Sequence, residues 1–234
     1  MSEASEKVVG IKQLPLFPLP LVLMPYELLP LHIFEPRYRQ MLRDIELRRN
    51  LFGVTFFDQE TDFSEKPAVG SIGCVAEIRQ SQLMPDERSN ILTSGLIRYR
   101  LLEYADVGTP YLSAEVDFFE DEKEDDKILQ LIADEVFELF DRIAKAAFKL
   151  SGNRGRFPEI PKAEPEQLSF LVAAAFNLDN ELKLQMLDLV STSERLAKLR
   201  GILEQAVGQM ESNAEIHKAA QTNGHSKKAI DLGE

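Results

Sequence analysis

The stretch LPLFPLPLVLMPYELLPLHIFEPRYRQML, residues 14–42, holds six of the chain's twelve prolines in otherwise apolar sequence. Each proline fixes φ and removes a backbone donor, so this stretch cannot run as an ordinary central strand. Pro15, Pro18, Pro20, Pro25 and Pro30 divide it into short extended pieces suited to sheet edges and barrel corners. The apolar side chains between them still require burial, and a bent ribbon wrapped around a small β core meets both demands. Pro36 suits the first turn of a helix, where its missing N–H has no partner to lose. Tyr38, Met41, Leu42 and Ile45 then follow at helical spacing on one face.

Beyond that helix the pattern turns to strands. LFGVTFF (51–57), SIGCVAEIRQSQLM (71–84), SNILTSGLIRYRLLEY (89–104) and YLSAEVDFF (111–119) are rich in β-branched and aromatic residues, with turn signals at Pro67 and Gly70, Pro85 and Asp86, and Gly108 and Pro110. Ile97, Tyr99 and Leu101 alternate with Arg98 and Arg100, as expected of an antiparallel sheet curling into a partly closed barrel. The run EDEKEDD (120–126) is too charged for a strand and reads as a solvated linker leading into a helix N-terminus. From Ile128 the period is helical, and after a Pro/Gly-rich connection over 151–166 three further helices follow. The last opens with a capping box, Ser191 with Glu194. The expected organisation is a mobile leader (1–13), a β-rich part (14–122), a helical part (123–210) and a disordered tail (211–234).

Three stretches carry a family resemblance: Leu14–Pro18 with Met24, Pro25 and Pro30–Tyr38; Asp86–Tyr104 with its Asn-Ile-x-x-x-Gly-x-x-Arg strand; and TSERLAKL, Thr192–Leu199. Together they resemble the N-terminal, substrate-binding domain of the ATP-dependent Lon (La) proteases over residues 14–207. The resemblance implies an α+β fold, an N-terminal PUA-like β pseudobarrel followed by a C-terminal helical subdomain. It also implies capture of unfolded or extended polypeptides, with a separate protease or chaperone as a candidate partner. No Gly-x-x-x-x-Gly-Lys-Ser/Thr phosphate loop occurs, and residues 211–234 leave no room for a further domain of about 100 residues or more. The expectation is therefore a free-standing, non-enzymatic copy of that domain, without ATPase or protease parts and without a cofactor.

The charge of −12, from 39 acidic and 27 basic residues, weighs against sequence-independent binding of nucleic acid. Arg37, Arg39, Arg43, Arg48 and Arg49 gather on the first helix, but Glu35, Asp44 and Glu46 interleave with them, so a salt-bridged face is expected. The lone cysteine, Cys74, sits in apolar sequence and reads as a core residue. MSEASEKVV lacks a basic n-region, and the prolines disqualify residues 14–34 as a membrane helix; a cytoplasmic protein with no membrane contact is expected. His32, His217 and His225 make no metal-site pattern. No Gly-x-Ser-x-Gly, His-Glu-x-x-His or Gly-x-Gly-x-x-Gly run is present.

Glu35 is expected to meet free N–H groups at the helix entrance, and Arg37 to tie the helix to the barrel. The candidate peptide-binding residues are Leu21, Val22, Met24 and Tyr26, where bends at Pro20, Pro25 and Pro30 prevent neat pairing and leave apolar grooves. The competing expectation is that they fill the interface between barrel and helices. As an alternative, a PUA-like barrel binding RNA or a nucleotide ligand would use Arg98, Tyr99 and Arg100 as a basic-aromatic stacking cluster.

Overall fold

A computed structural model describes residues 2–58, 66–151, 157–176 and 178–223, with side chains through Met210. The bent ribbon forms two short strands, β1 (Gln13–Leu19) and β2 (Leu28–Ile33), after a short helix, α1 (Glu3–Val8). Pro36 stands at the start of α2 (Pro36–Glu46), which leads into β3 (Leu51–Phe56), β4 (Ile72–Leu83), β5 (Ser89–Tyr104) and β6 (Ser113–Phe119). Helices α3 (Asp126–Leu150), α4 (Pro165–Ala175), α5 (Asn180–Asp188) and α6 (Thr192–Asn223) complete the chain.

The strands run in the order β2-β5-β4-β3-β1-β6, and β5 also pairs with β6, so β1, β3, β4, β5 and β6 close into a ring. Closure depends on the length of β5. Its residues 89–94 pair with β2 and residues 98–104 with β6, while β4 runs along the opposite edge. β1 and β3 are parallel, with Leu16 opposite Gly53, and β2 with α2 supply the crossover that a parallel pair requires.

Inside the ring lie Leu14, Leu16, Leu51, Val75, Ile97, Leu101, Ala114 and Val116 around Tyr99. Two glycines make room for that ring: a Cβ on Gly53 would lie 2.6 Å, and on Gly73 2.5 Å, from the Tyr99 hydroxyl. Thr55 Oγ1 and Tyr99 Oη, 2.5 Å apart, share a hydrogen bond, which satisfies two buried hydroxyls together. A second layer sets Tyr38, Met41 and Ile45 of α2 against Phe17, Phe52, Val54 and Ile91. The third layer is helical and centres on Val136, Phe170, Met186, Leu196 and Leu203.

The expected leader carries a short helix. Ser5 donates to Glu120 at 2.6 Å, Ser2 donates to the same carboxylate, and Arg49 donates to the carbonyls of Lys7 and Val9, while Val8 is buried in the barrel layer. Residues 3–8 therefore fold as a helix clamped at both ends. In the expected tail, α6 continues to Asn223; residues 224–234 lie outside the described residues.

Candidate functional site

The chain between β1 and β2 is drawn into the seam between barrel and helices. A turn over Met24–Glu27 sits on β5: Tyr26 N–H donates to Gly95 O at 2.8 Å and Gly95 N–H donates to Glu27 O at 2.9 Å. Tyr26 adopts φ +67°, and a Cβ on Gly95 would lie 2.0 Å from the Met24 carbonyl oxygen, so only glycine admits the turn. The Glu27 carboxylate accepts from Met24 N–H at 2.8 Å and closes it.

An ionic cluster holds the same seam. Asp121, with its side chain 4% exposed, accepts from Arg98, Arg195 and Thr192. Arg98 donates further to the carbonyls of Leu187 (3.0 Å) and Leu189, and Arg195 to Leu189 O and Ser169 Oγ, each at 2.8 Å. The Arg195 guanidinium lies 3.8 Å from the centre of the Phe170 ring, and that of Arg98 4.5 Å from the centre of Phe119. Burial lowers the Arg98 pKa and Asp121 opposes the shift. Nearby Glu166 is raised above the usual carboxylate value by burial and then by Asp121, with Arg195 and Arg98 acting against. Three further carboxylates of the 120–126 run are also engaged. Glu120 accepts from α1, Glu124 accepts from Ser193 N–H at 3.1 Å and Ser191 Oγ at 3.2 Å, and Asp125 caps α3. Of the run expected to be a solvated linker and helix N-terminus, Glu120, Glu122, Lys123, Asp125 and Asp126 are exposed and Asp125 caps α3 as expected, while Asp121 and Glu124 tie it to β5 and α6 as a clasp. Sequence reading missed Asp121; the available signal was a pair of arginines, Arg98 and Arg195, lying within the resemblance motifs without an assigned counter-charge.

These packings correct several expected site residues. Val22 and Met24 are 4% and 0% exposed, in one cluster with α4, α5 and α6, because the proline bends fold the ribbon back onto the helices. Leu21 is half-buried on the α2 layer. Tyr26 alone of the four is exposed, at 39%; desolvation, then Glu166, Glu120 and Asp121, push its pKa up to about 12. Arg98, Tyr99 and Arg100 do not form one stacking cluster. Strand alternation sends Tyr99 into the barrel and Arg98 into the clasp, and Arg100 pairs at the surface with Asp188. Glu35 makes no capping hydrogen bond and instead accepts from Arg37 Nε at 2.9 Å, while Arg37 lies over the Tyr38 ring rather than tying α2 to the barrel. The Ser191 hydroxyl does accept from Glu194 N–H at 3.1 Å.

The ribbon's exposed apolar surface lies farther along. β2 is a sheet-edge strand with alternating burial: Leu29, Leu31 and Ile33 face the α2 layer, and Leu28, Pro30 and His32 face out. Leu28 is 61% and Phe34 58% exposed, His32 stacks beside Phe34 and donates from Nδ1 to Asn90 Oδ1 at 2.7 Å, and half-buried Leu92 pairs with Pro30. From Leu28 to Phe34 this strip extends about 20 Å at strand rise. Cys74 is buried and its thiol is pushed up to about 12 by desolvation, outside the range of a reactive thiolate. Among the described residues no group of three His, Cys, Asp or Glu is placed to hold a metal, and no helix is long and apolar enough to cross a membrane.

A closed five-strand barrel, an edge strand laid on its longest member and a helical layer clasped to both define an α+β domain of barrel-and-helix type. Residues 13–205 match the ATP-dependent protease La (LON) substrate-binding domain, and the chain belongs to that family. Curated relatives include the Lon protease of Desulforamulus reducens, 26% identical over 214 residues that cover 88% of this chain and 26% of that protein. Lon protease 1 of Thermus thermophilus is 27% identical over 170 residues, covering 72% of this chain and 21% of that one. The chain thus spans about a quarter of the length of these relatives. Among solved structures, the Lon N-terminal domain protein from Xanthomonas campestris superposes with a TM-score of 0.58 at 22% identity, over 81% of this chain and 97% of that one. The N-terminal domain of Mycobacterium avium complex Lon protease superposes with a TM-score of 0.60 at 18% identity, over 82% and 98%.

Proposed function

We propose that the protein is a non-enzymatic polypeptide-recognition module that binds extended, apolar segments of other proteins along the outer face of β2. The observation that carries this reading is the exposure of Leu28 and Pro30 on an edge strand and of Phe34 just past its end. An edge strand offers main-chain groups to an added strand, and alternate apolar side chains give such a partner its footholds. Family membership supports the polypeptide as ligand class. The buried polar groups of the seam serve one another, Arg98 and Arg195 with Asp121, which favours binding over a chemical step. Delivery of bound segments to a separate protease or chaperone fits this reading, as does a cytoplasmic site of action, where a lone buried thiol is at home.

Isothermal titration with a panel of extended apolar peptides tests the proposal. Burying two large apolar side chains contributes about 1.5–3 kcal/mol each, so the double substitution Leu28→Asp, Phe34→Asp is expected to weaken binding at least tenfold, with the circular-dichroism melt preserved. Absence of binding up to millimolar concentration, or unchanged affinity in the double variant, overturns it.

A further inference from the structure

β4 outruns its neighbour. Its pairing with β3 ends at Glu77 opposite Leu51, yet it continues to Leu83 with β5 along one side. The other side of residues 79–83 has no strand partner among the described residues, and all five are exposed. It looks instead across a groove of about 510 Å³ toward α2, whose Arg39, Leu42 and Arg43 form the facing wall.

The charge of this groove is opposite to that of the chain. Arg39, Arg43 and Arg79 line it against Glu46 and Glu87, in a protein with a net charge of −12. Arg39 pairs with Glu87 and Arg79 with Glu77, which leaves Arg43 without a carboxylate partner among the described residues. The Arg39 Nε–H is buried without an acceptor, an uncommon state for a buried donor. A register shift between Ile78 and Gln80 marks a bulge at Arg79, and bulges re-aim side chains at strand edges. A bulge and a charge alone would serve to blunt the edge against aggregation. That need does not account for the cations on the facing helix.

We infer that this edge accepts an acidic, extended peptide segment as an added strand, its carboxylates meeting Arg43 and Arg79. The site lies across β5 from the β2 face and shares none of its exposed apolar residues.

Fluorescence anisotropy of the full chain with a labelled peptide alternating Glu with Val and Thr tests this, beside the same peptide with Lys in place of Glu and an oligouridylate. The Glu peptide is expected to bind, more weakly as salt rises. Arg43→Glu with Arg79→Glu, both at exposed positions, is expected to cost about tenfold or more in affinity. Hydrogen exchange is expected to slow at amides 79–83 on binding. The Leu28→Asp, Phe34→Asp variant should keep full affinity for the Glu peptide, so failure of the β2 reading and failure of this one are separable. Equal binding of the Lys peptide overturns the inference. So do displacement by oligouridylate, protection at 28–33 instead of 79–83, self-association through this edge that excludes the peptide, and unchanged affinity in the arginine double variant.

Discussion

Asp121 serves two arginines and a threonine at once, with its side chain almost wholly removed from solvent. Removing one partner of a buried ion pair leaves the other charge without compensation, which typically costs about 3–5 kcal/mol. Asp121→Asn is therefore expected to destabilise the protein by about that amount in urea titrations, since it leaves two buried guanidiniums facing a neutral amide. Arg100→Ala, which deletes an exposed pair with Asp188 one position away from Tyr99, is expected to change stability by about 0.5 kcal/mol or less. Equal losses in the two variants would refute the division between clasp and surface. Gly95 makes a different demand at the same seam. With the Met24 carbonyl oxygen only 2.0 Å from any added Cβ, Gly95→Ala must displace the Met24–Glu27 turn, an overpacking expected to cost about 1–3 kcal/mol in the same titration.

At the scale of elements, the proline-rich ribbon divides into a buried half and an exposed half. Its edge character, the strands after it and the helical phase of α3 to α6 are all legible in the sequence, because proline chemistry and apolar period are local properties. Which half of the ribbon faces solvent is not local. It depends on the helices that cover Val22 and Met24, and those helices lie more than a hundred residues away in the chain. The same limit applies to Arg98 and Arg100: alternation placed both on the face opposite Tyr99, but only the distant α5–α6 segment makes one of them buried and leaves the other wet. Within the charged run after β6, exposed for the most part as expected, local composition misled at Asp121, since a carboxylate between two buried arginines looks in sequence like any other solvated acid. The division of the ribbon predicts opposite responses to one kind of truncation. Met24→Ala is expected to lose about 2–5 kcal/mol in denaturant titration, as a fully buried core deletion does. Leu28→Ala, on the exposed face, is expected to stay within about 0.5 kcal/mol of the parent while weakening peptide binding.

Across the whole molecule the five tyrosines report on the barrel, the α2 layer and the seam with the helices. Tyr99 fills the barrel and Tyr38 packs from α2 against the sheet. Tyr111 donates to Asp44 of α2 at 2.8 Å, Tyr104 donates to Pro67 O at 2.7 Å, and Tyr26 lies at the seam. Desolvation is the leading cause that raises every one of their pKa values, to about 12 for Tyr26, Tyr104 and Tyr111 and upward from the ordinary value for Tyr38 and Tyr99. A phenol whose folded pKa exceeds its unfolded one contributes stability that is complete below pH 10 and disappears as the pH climbs through about 12. At pH 10 the urea-unfolded chain is expected to show about half of its tyrosines as phenolate by ultraviolet absorbance, and the folded chain almost none. Denaturation midpoints should accordingly hold up to about pH 10 and then fall steeply toward pH 12, with phenolate absorbance and loss of helical circular dichroism rising together. If phenolate absorbance beyond that of the exposed Tyr26 instead appears near pH 10 while the helical signal is intact, at least one of Tyr38, Tyr99, Tyr104 and Tyr111 is solvated in the native state, and the burial assigned to its layer is wrong.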